Sequence, residues 1–217
     1  RIPSERLLIE SYDVSRITVR KALDELVNEG YLYRVHGKGT YVKGGGVTQD
    51  LFSITSCTQD ILKQGMVPKR KLNACEIIEP DAKRRRILNL KDTRKVLMLD
   101  RVYYADELPV NRTIAYLPLY HFPDLETHDF STQSLYEVLE REYDVKITRA
   151  TRTIEAVLAA GETAELLEVE EGKPIILFRA VTYGIVKGTR HEVPIETFKS
   201  SYRTDQFKFY INQIKDD

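Results

Sequence analysis

The sequence predicts an α+β protein of two parts, a helix-turn-helix with a β-hairpin wing and a larger antiparallel α+β domain. Three observations predict it. Two amphipathic helical patterns separated by a three-residue break precede residue 30, two short β-rich runs flank the glycine turn "HGKG", and a glycine cluster at 44–46 separates all of this from a long stretch of alternating strands with irregularly placed helices.

The elements follow in order. Ser4 is placed to cap a first helix on which Leu7, Leu8 and Tyr12 recur at helical spacing. Asp13-Val14-Ser15 breaks it, and Ser15 can cap a second helix running to about Gly30, with Val19, Leu23, Leu26 and Val27 as its apolar stripe. "YLYRV" and "TYV" read as strands joined through His36-Gly37-Lys38-Gly39, where glycine admits a tight turn. "KGGGV" reads as a linker over residues 44–49, dividing a first domain (1–43) from a second (50–217).

In the second domain, residues 60–65 end a helix, "KLNACEII" is a strand, and "PDAKRRRILNL" is a helix started by Pro80. "KVLMLDRVYYADELPVNRTIAYLP" makes two long strands joined through Ala105 to Pro109. "STQSLYEVLEREYDV" is a capped helix burying Leu135, Val138, Leu139 and Tyr143. Strands "TRATRTIEAVLA", "PIILFRAVTYGIV" and "HEVPIETFKSSY" follow, the first two around the short helix "TAELLEV".

Composition narrows the class. Of 217 residues, 42% are hydrophobic and 30% charged, with 33 basic against 33 acidic side chains, so bulk electrostatics do not hold a polyanion. Residues 1–43 carry eight basic and six acidic side chains, and their arrangement matters more than their excess. No apolar run approaches a membrane span and no signal pattern opens the chain, so a cytoplasmic protein without membrane attachment is expected. Cys57 and Cys75 are expected to be ordinary thiols; no metal-ligand spacing occurs, and neither metal nor cofactor is expected.

Arg16, Thr18 and Arg20 fall in the first turns of the second helix, where a recognition helix brings guanidinium groups to guanine edges or phosphates. Lys38, between two glycines, can approach a phosphate backbone closely, and His36 can reach a minor groove. The basic "KRRR" at 83–86 spreads around a helix and reads as a solvated face.

The stretch "PSERLLIESYDVSRITVRKALDELVNEGYLYRVHGKGTYV" resembles the winged helix-turn-helix of GntR-type transcription regulators, specifically the HutC-like branch. "DRVYYADELPVNRTIAYLP", "SLYEVLEREYDV", "TRTIEA" and "ETFKSSYRTDQFKF" resemble that branch's effector-binding UTRA domain, which implies a chorismate-lyase-like fold. Relative to the family, a first helix and short strand would precede "PSER", so the sequence begins inside the first domain. The resemblance implies DNA contacts at Arg6, Ser15, Arg16, Thr18, Arg20, His36 and Gly37, with Lys38 on a phosphate.

For the effector it implies Arg101, Ser134, Tyr136, Glu196 and Tyr202, with Tyr103 beside them and Thr55 and Ser56 adding hydroxyl or N–H groups. An arginine fork at a helix start suits an anion. Phosphosugar-binding members often have Arg-x-Arg where this chain has Arg101-Val102-Tyr103, and an acidic residue where it has Thr113. Phosphate is weakened accordingly, while a phosphorylated sugar or another small anion stays the favoured effector. The implied function is a regulator, more a repressor than an activator, binding double-stranded operator DNA as a homodimer under control of a small metabolite. The competing reading is a lyase-like enzyme using Glu196 for proton chemistry beside Arg101; against it, no Ser-His-Asp or Cys-His arrangement can be placed, and His121, His128 and His191 stand in unrelated contexts.

Overall fold

The structure, a computed structural model, describes residues 2–28, 32–35, 39–42, 47–50, 57–91 and 93–210. It forms two compact units, Arg1–Gly46 and Val47–Asp217.

In the first unit, α1 (Glu5–Tyr12) starts where the Ser4 hydroxyl accepts the Leu7 N–H at 3.3 Å. It stops at Asp13, whose φ of +49° is left-handed backbone that Asp tolerates. Ser15 then accepts the Thr18 N–H at 3.1 Å and opens α2 (Arg16–Asn28). Strands β1 (Leu32–Val35) and β2 (Gly39–Val42) pair antiparallel, closing with Val35 opposite Gly39. Gly39 has φ +118°, a conformation that a side chain would strain.

Val19, Leu23 and Leu32 are the buried centre of this unit, with Ile2, Leu8, Ile9, Val14 and Val27 packed around them. The expected stripes need correction. Leu7 is 48% exposed and Tyr12 71%, because α1 packs Leu8 together with Ile9 on this centre, and Leu26 of α2 is 38% exposed while Val27 packs there.

The second unit contains β3 (Val47–Asp50), α3 (Cys57–Leu62), β4 (Pro68–Ile78), α4 (Ala82–Ile87), β5 (Val96–Ala105), β6 (Leu108–Pro118), a 3₁₀ turn at Leu125–Thr127, α5 (Leu135–Glu142), β7 (Lys146–Leu158), α6 (Gly161–Leu166), β8 (Pro174–Ile185), β9 (Val193–Arg203) and β10 (Phe207–Tyr210). Six strands make one antiparallel sheet in the order β4-β5-β6-β9-β8-β7. Val47–Gln49, expected to belong to the linker, lie in β3, which pairs parallel with β10. Asp81, one residue after Pro80, is the cap of α4, its carboxylate accepting the Arg84 N–H at 2.7 Å.

One face of the sheet carries the core, and alternation along β5 shows how. Leu97 and Leu99 join Leu117, Phe122, Phe130, Leu139 and Ile195 in one apolar cluster, with α5 packed on it. Tyr103 and Ala105 join Ile61, Val110, Phe178, Tyr202 and Phe207 in a second. Arg101 falls between the two on the same face, so a polar interval splits the apolar surface.

The opposite face holds a buried ion pair. Arg112 on β6 clasps Asp100 on β5 with two hydrogen bonds of 3.1 and 2.6 Å, both side chains about 5% exposed. Glu162 and Thr163 of α6 also accept from Arg112, and Asn73 of β4 donates to Asp100 at 2.9 Å. Strand alternation alone gave no sign that this face buries charge.

Candidate functional site

The polar interval on the sheet opens into a cavity of about 70 Å³, well beyond the roughly 10–15 Å³ that one water needs. Arg101, Tyr103, Ser134, Tyr136, Glu196 and Tyr202 all line it. Thr55 and Ser56 lie outside the described residues.

Strand register explains the convergence. Arg101 on β5 stands opposite Thr113 on β6, and Thr113 opposite Ser200 on β9, whose hydroxyl is 2.5 Å from that of Thr113. Tyr103 stands opposite Arg70 on β4. Arg70 therefore shares the face of Arg101 and brings a second guanidinium to the cavity. The Arg-x-Arg pattern is absent along β5, but its second cation arrives from the neighbouring strand. Arg152 of β7 also lines the cavity.

Sequence reasoning missed Arg70 because β4 begins at Pro68, ahead of the expected strand, and "PKRK" looks like solvated charge.

The two arginines are short of partners. Among the described residues, Nε of Arg101, a residue 3% exposed, and Nη1 of Arg70 are buried without a hydrogen-bond acceptor. Arg101 lies 5.3 Å from the Tyr103 ring and 5.9 Å from that of Phe130, contacts that do not satisfy an N–H. Burial pulls the Arg70 pKa below the usual guanidinium value, with Arg101 adding to the effect. A buried N–H without an acceptor costs free energy, more so when charged.

The other end of the cavity is a hydrogen-bonded carboxyl group. Glu196, 2% exposed, accepts from the Tyr136 hydroxyl at 3.0 Å and from Thr182 at 3.1 Å. Burial raises its pKa, opposed by the two hydroxyl donors and by Arg101 and Arg152. Burial and the adjacent carboxylate also hold the Tyr136 hydroxyl well above its usual range, so it remains a donor. Ser134 occupies the cap position of α5, yet its side chain makes no capping bond. It lines the cavity instead, where the helix begins.

A groove of about 250 Å³ on the other side of the sheet contains Arg84, Arg179 and Lys199. Arg84 is paired with Asp81 and lies 3.9 Å over the Tyr116 ring, and Arg179 bonds Glu155 at 2.9 Å. Arg84 is thus engaged with its neighbours, which corrects the reading of 83–86 as a merely solvated face. Cys57 and Cys75 are free thiols, half-buried, and burial raises the pKa of both.

In the first unit, Arg16 and Arg20 are exposed one turn apart on α2. Glu5 of α1 sits against both, its carboxylate 3.8 Å from Arg16 and 3.1 Å from Arg20. Arg6 pairs with Glu10 at 3.6 Å, and the Thr18 hydroxyl lies 2.8 Å from that of Ser15. Such exposed pairs are weak and yield readily to a phosphate. His36, Gly37 and Lys38 fall outside the described residues.

Comparison with known proteins decides the family. The model for bacterial regulatory proteins of the gntR family matches residues 1–42, and that for the UTRA domain matches residues 63–208. The HTH-type transcriptional repressor NagR of Bacillus subtilis is 34% identical over 208 residues, covering 96% of this chain and 83% of that protein. This chain belongs to the GntR family and carries a UTRA domain.

The mannosyl-D-glycerate transport/metabolism system repressor MngR of Escherichia coli is 29% identical to this GntR regulator, across 96% of the chain and 84% of that protein. The crystal structure of PhnF from Mycobacterium smegmatis superposes with a TM-score of 0.73 at 29% identity, over 99% of the chain and 92% of that structure. The protein is a DNA-binding transcription regulator with an effector-binding domain. The family and these relatives are regulators and not enzymes, which leaves the lyase-like reading without support.

Proposed function

We propose that this regulator represses transcription in the cytoplasm as a homodimer on two-fold operator DNA, and leaves the operator when a small anionic metabolite, foremost a phosphorylated sugar, fills the UTRA cavity. The observation that carries this reading is the pair of buried, unsatisfied guanidinium nitrogens on Arg70 and Arg101. They would take the anion, with Ser134 and the start of α5 beside them and Thr55 and Ser56 adding donors; Tyr103 and Tyr202 would wall the site. Glu196, held by Tyr136 and Thr182, would accept from a sugar hydroxyl or amine. MngR is named for mannosyl-D-glycerate, a sugar that carries a carboxylate, and this favours a sugar acid or sugar phosphate.

On the DNA side, Arg16, Thr18 and Arg20 would reach base edges and phosphates in the major groove, with Arg6 and Ser15 on the backbone. His36, Gly37 and Lys38 would follow the adjacent strand. Repression would be relieved because the effector favours one dimer geometry over another. Tyr202 and Phe178 line the cavity and also pack on Phe207 and Phe209 of β10, and β10 pairs with β3, the first strand after the glycine run. A change at the cavity thus has a packed route to β3, the strand that follows the glycine run.

The test is operator retention by the full-length regulator, titrated with sugar phosphates and with the same sugars unphosphorylated. Release by the phosphorylated set alone, lost in Arg101→Ala, is the expected result. Release by neutral sugars at equal concentration would refute the anion assignment.

A further inference from the structure

The reverse face of the sheet, behind the effector cavity, carries a second opening. Strand pairing lays two rows of side chains across it: Tyr116, Thr197, Val181 and Thr151 in one, and Ile114, Lys199, Arg179 and Thr153 in the next. α4 borders them with Arg84 and Ile87, and the groove so formed holds about 250 Å³, against about 70 Å³ for the effector cavity. Its floor is apolar, made by the half-buried Tyr116, Val181 and Ile87, while Lys83 stands exposed at the rim.

The second row sets two cations directly opposite each other, Lys199 on β9 against Arg179 on β8. Facing residues on antiparallel strands have Cβ atoms about 5 Å apart, where like charges are destabilising. Arg179 is relieved by Glu155, and Arg84 by Asp81. Among the described residues, Lys199 has neither a hydrogen bond nor an ion pair. Burial pulls its pKa below the usual lysine value, and Arg112, Arg179 and Arg84 add to the effect; Asp100, which opposes them, is itself held by Arg112.

An uncompensated ammonium between guanidinium groups, above an apolar floor, is complementary to an amphipathic anion. We propose that this groove binds a small organic anion, its carboxylate or phosphate head on Lys199 between Arg84 and Arg179 and its apolar body over Tyr116 and Val181. The site is separate from the effector cavity and does not rest on the assignment made there. Both sites share β9: Glu196 and Ser200 face the cavity, whereas Thr197 and Lys199 face the groove. One strand thus holds the two sites back to back.

The experiment is amine acylation of the full-length regulator, followed lysine by lysine by mass spectrometry, with benzoate and phenyl phosphate as probes. Benzyl alcohol supplies the body without the charge, and inorganic phosphate the charge without the body. A saturating anionic probe should slow acylation of Lys199 about tenfold, the effect of one pH unit on its free-amine fraction, and should shield Lys83 at the rim as well. Shielding by benzoate alone assigns a carboxylate head, and by phenyl phosphate alone a phosphate head. In Lys199→Gln the shielding of Lys83 should vanish, and in Lys199→Arg it should return; the position is exposed, so both variants should fold. Arg101→Met keeps the volume of a buried side chain and should leave the shielding whole, because the effector cavity takes no part in it. If that variant unfolds, the two Lys199 variants decide. No shielding by either anion, or shielding lost in a folded Arg101→Met, overturns the second site. Equal shielding by benzyl alcohol or by inorganic phosphate overturns the amphipathic anion as its ligand.

Discussion

Replacing Arg70 with alanine should separate binding from folding, because the residue is expected to help the effector and hinder the empty protein. Among the described residues its Nη1 is buried without an acceptor and the side chain forms no ion pair. Its truncation removes an unsatisfied charged donor, so the empty variant should be at least as stable as the wild type, within about 1 kcal/mol. A hydrogen bond to a charged group contributes about 1.5–3 kcal/mol, which corresponds to a roughly 10- to 150-fold loss of affinity for an anion. The assay is thermal unfolding against a panel of sugar phosphates, sugar acids and inorganic phosphate. Ligand at one hundred times its dissociation constant adds about 2.7 kcal/mol, and a hundredfold weaker variant keeps only about 0.4 at that concentration. If Arg70→Ala destabilises the empty protein by 2 kcal/mol or more and keeps the full ligand shift, Arg70 is structural and the assignment of the second guanidinium is wrong.

Two further outcomes follow from the buried charges. Asp100→Ala should cost up to about 3–5 kcal/mol by removing the buried one of the two carboxylates that hold Arg112, while Asp100→Leu with Arg112→Met should recover most of it; a urea midpoint nearly unchanged in the single variant would show that the pair is not desolvated. Glu196 has its folded pKa raised above the ordinary 4.5, so its contribution to stability is fully present below 4.5 and is lost as pH rises through the folded value. Glu196→Gln should therefore flatten the stability profile above pH 4.5, and parallel wild-type and variant curves would contradict the burial argument.

Much of this architecture was legible because local rules agree with the fold. Ser4 and Ser15 cap where capping chemistry puts them, and the i, i+2 spacing of Arg101 and Tyr103 fixes them on one face as soon as β5 is recognised. Arg70 was not legible, because its place opposite Tyr103 depends on the pairing of β4 with β5, which no local pattern specifies. Asp100 and Arg112 look like solvent-facing positions of alternating strands until α6 is seen to cover them. Leu7 and Tyr12 were misplaced because α1 offers two overlapping apolar stripes, and only the position of α2 chooses between them. The β3–β10 pair joins four-residue strands from opposite ends of the unit, too short and too distant to be read locally.

That last pair also governs the order of synthesis. The DNA-reading unit is complete in the nascent chain by Gly46, whereas the sensor unit can close only after Phe207–Tyr210 has emerged to lie beside Val47–Asp50. At about 5–20 residues per second the ribosome takes roughly 10–30 s to make the intervening segment. For that interval the chain carries a DNA-reading head with no finished sensor behind it, and a truncation before β10 would leave it in that state.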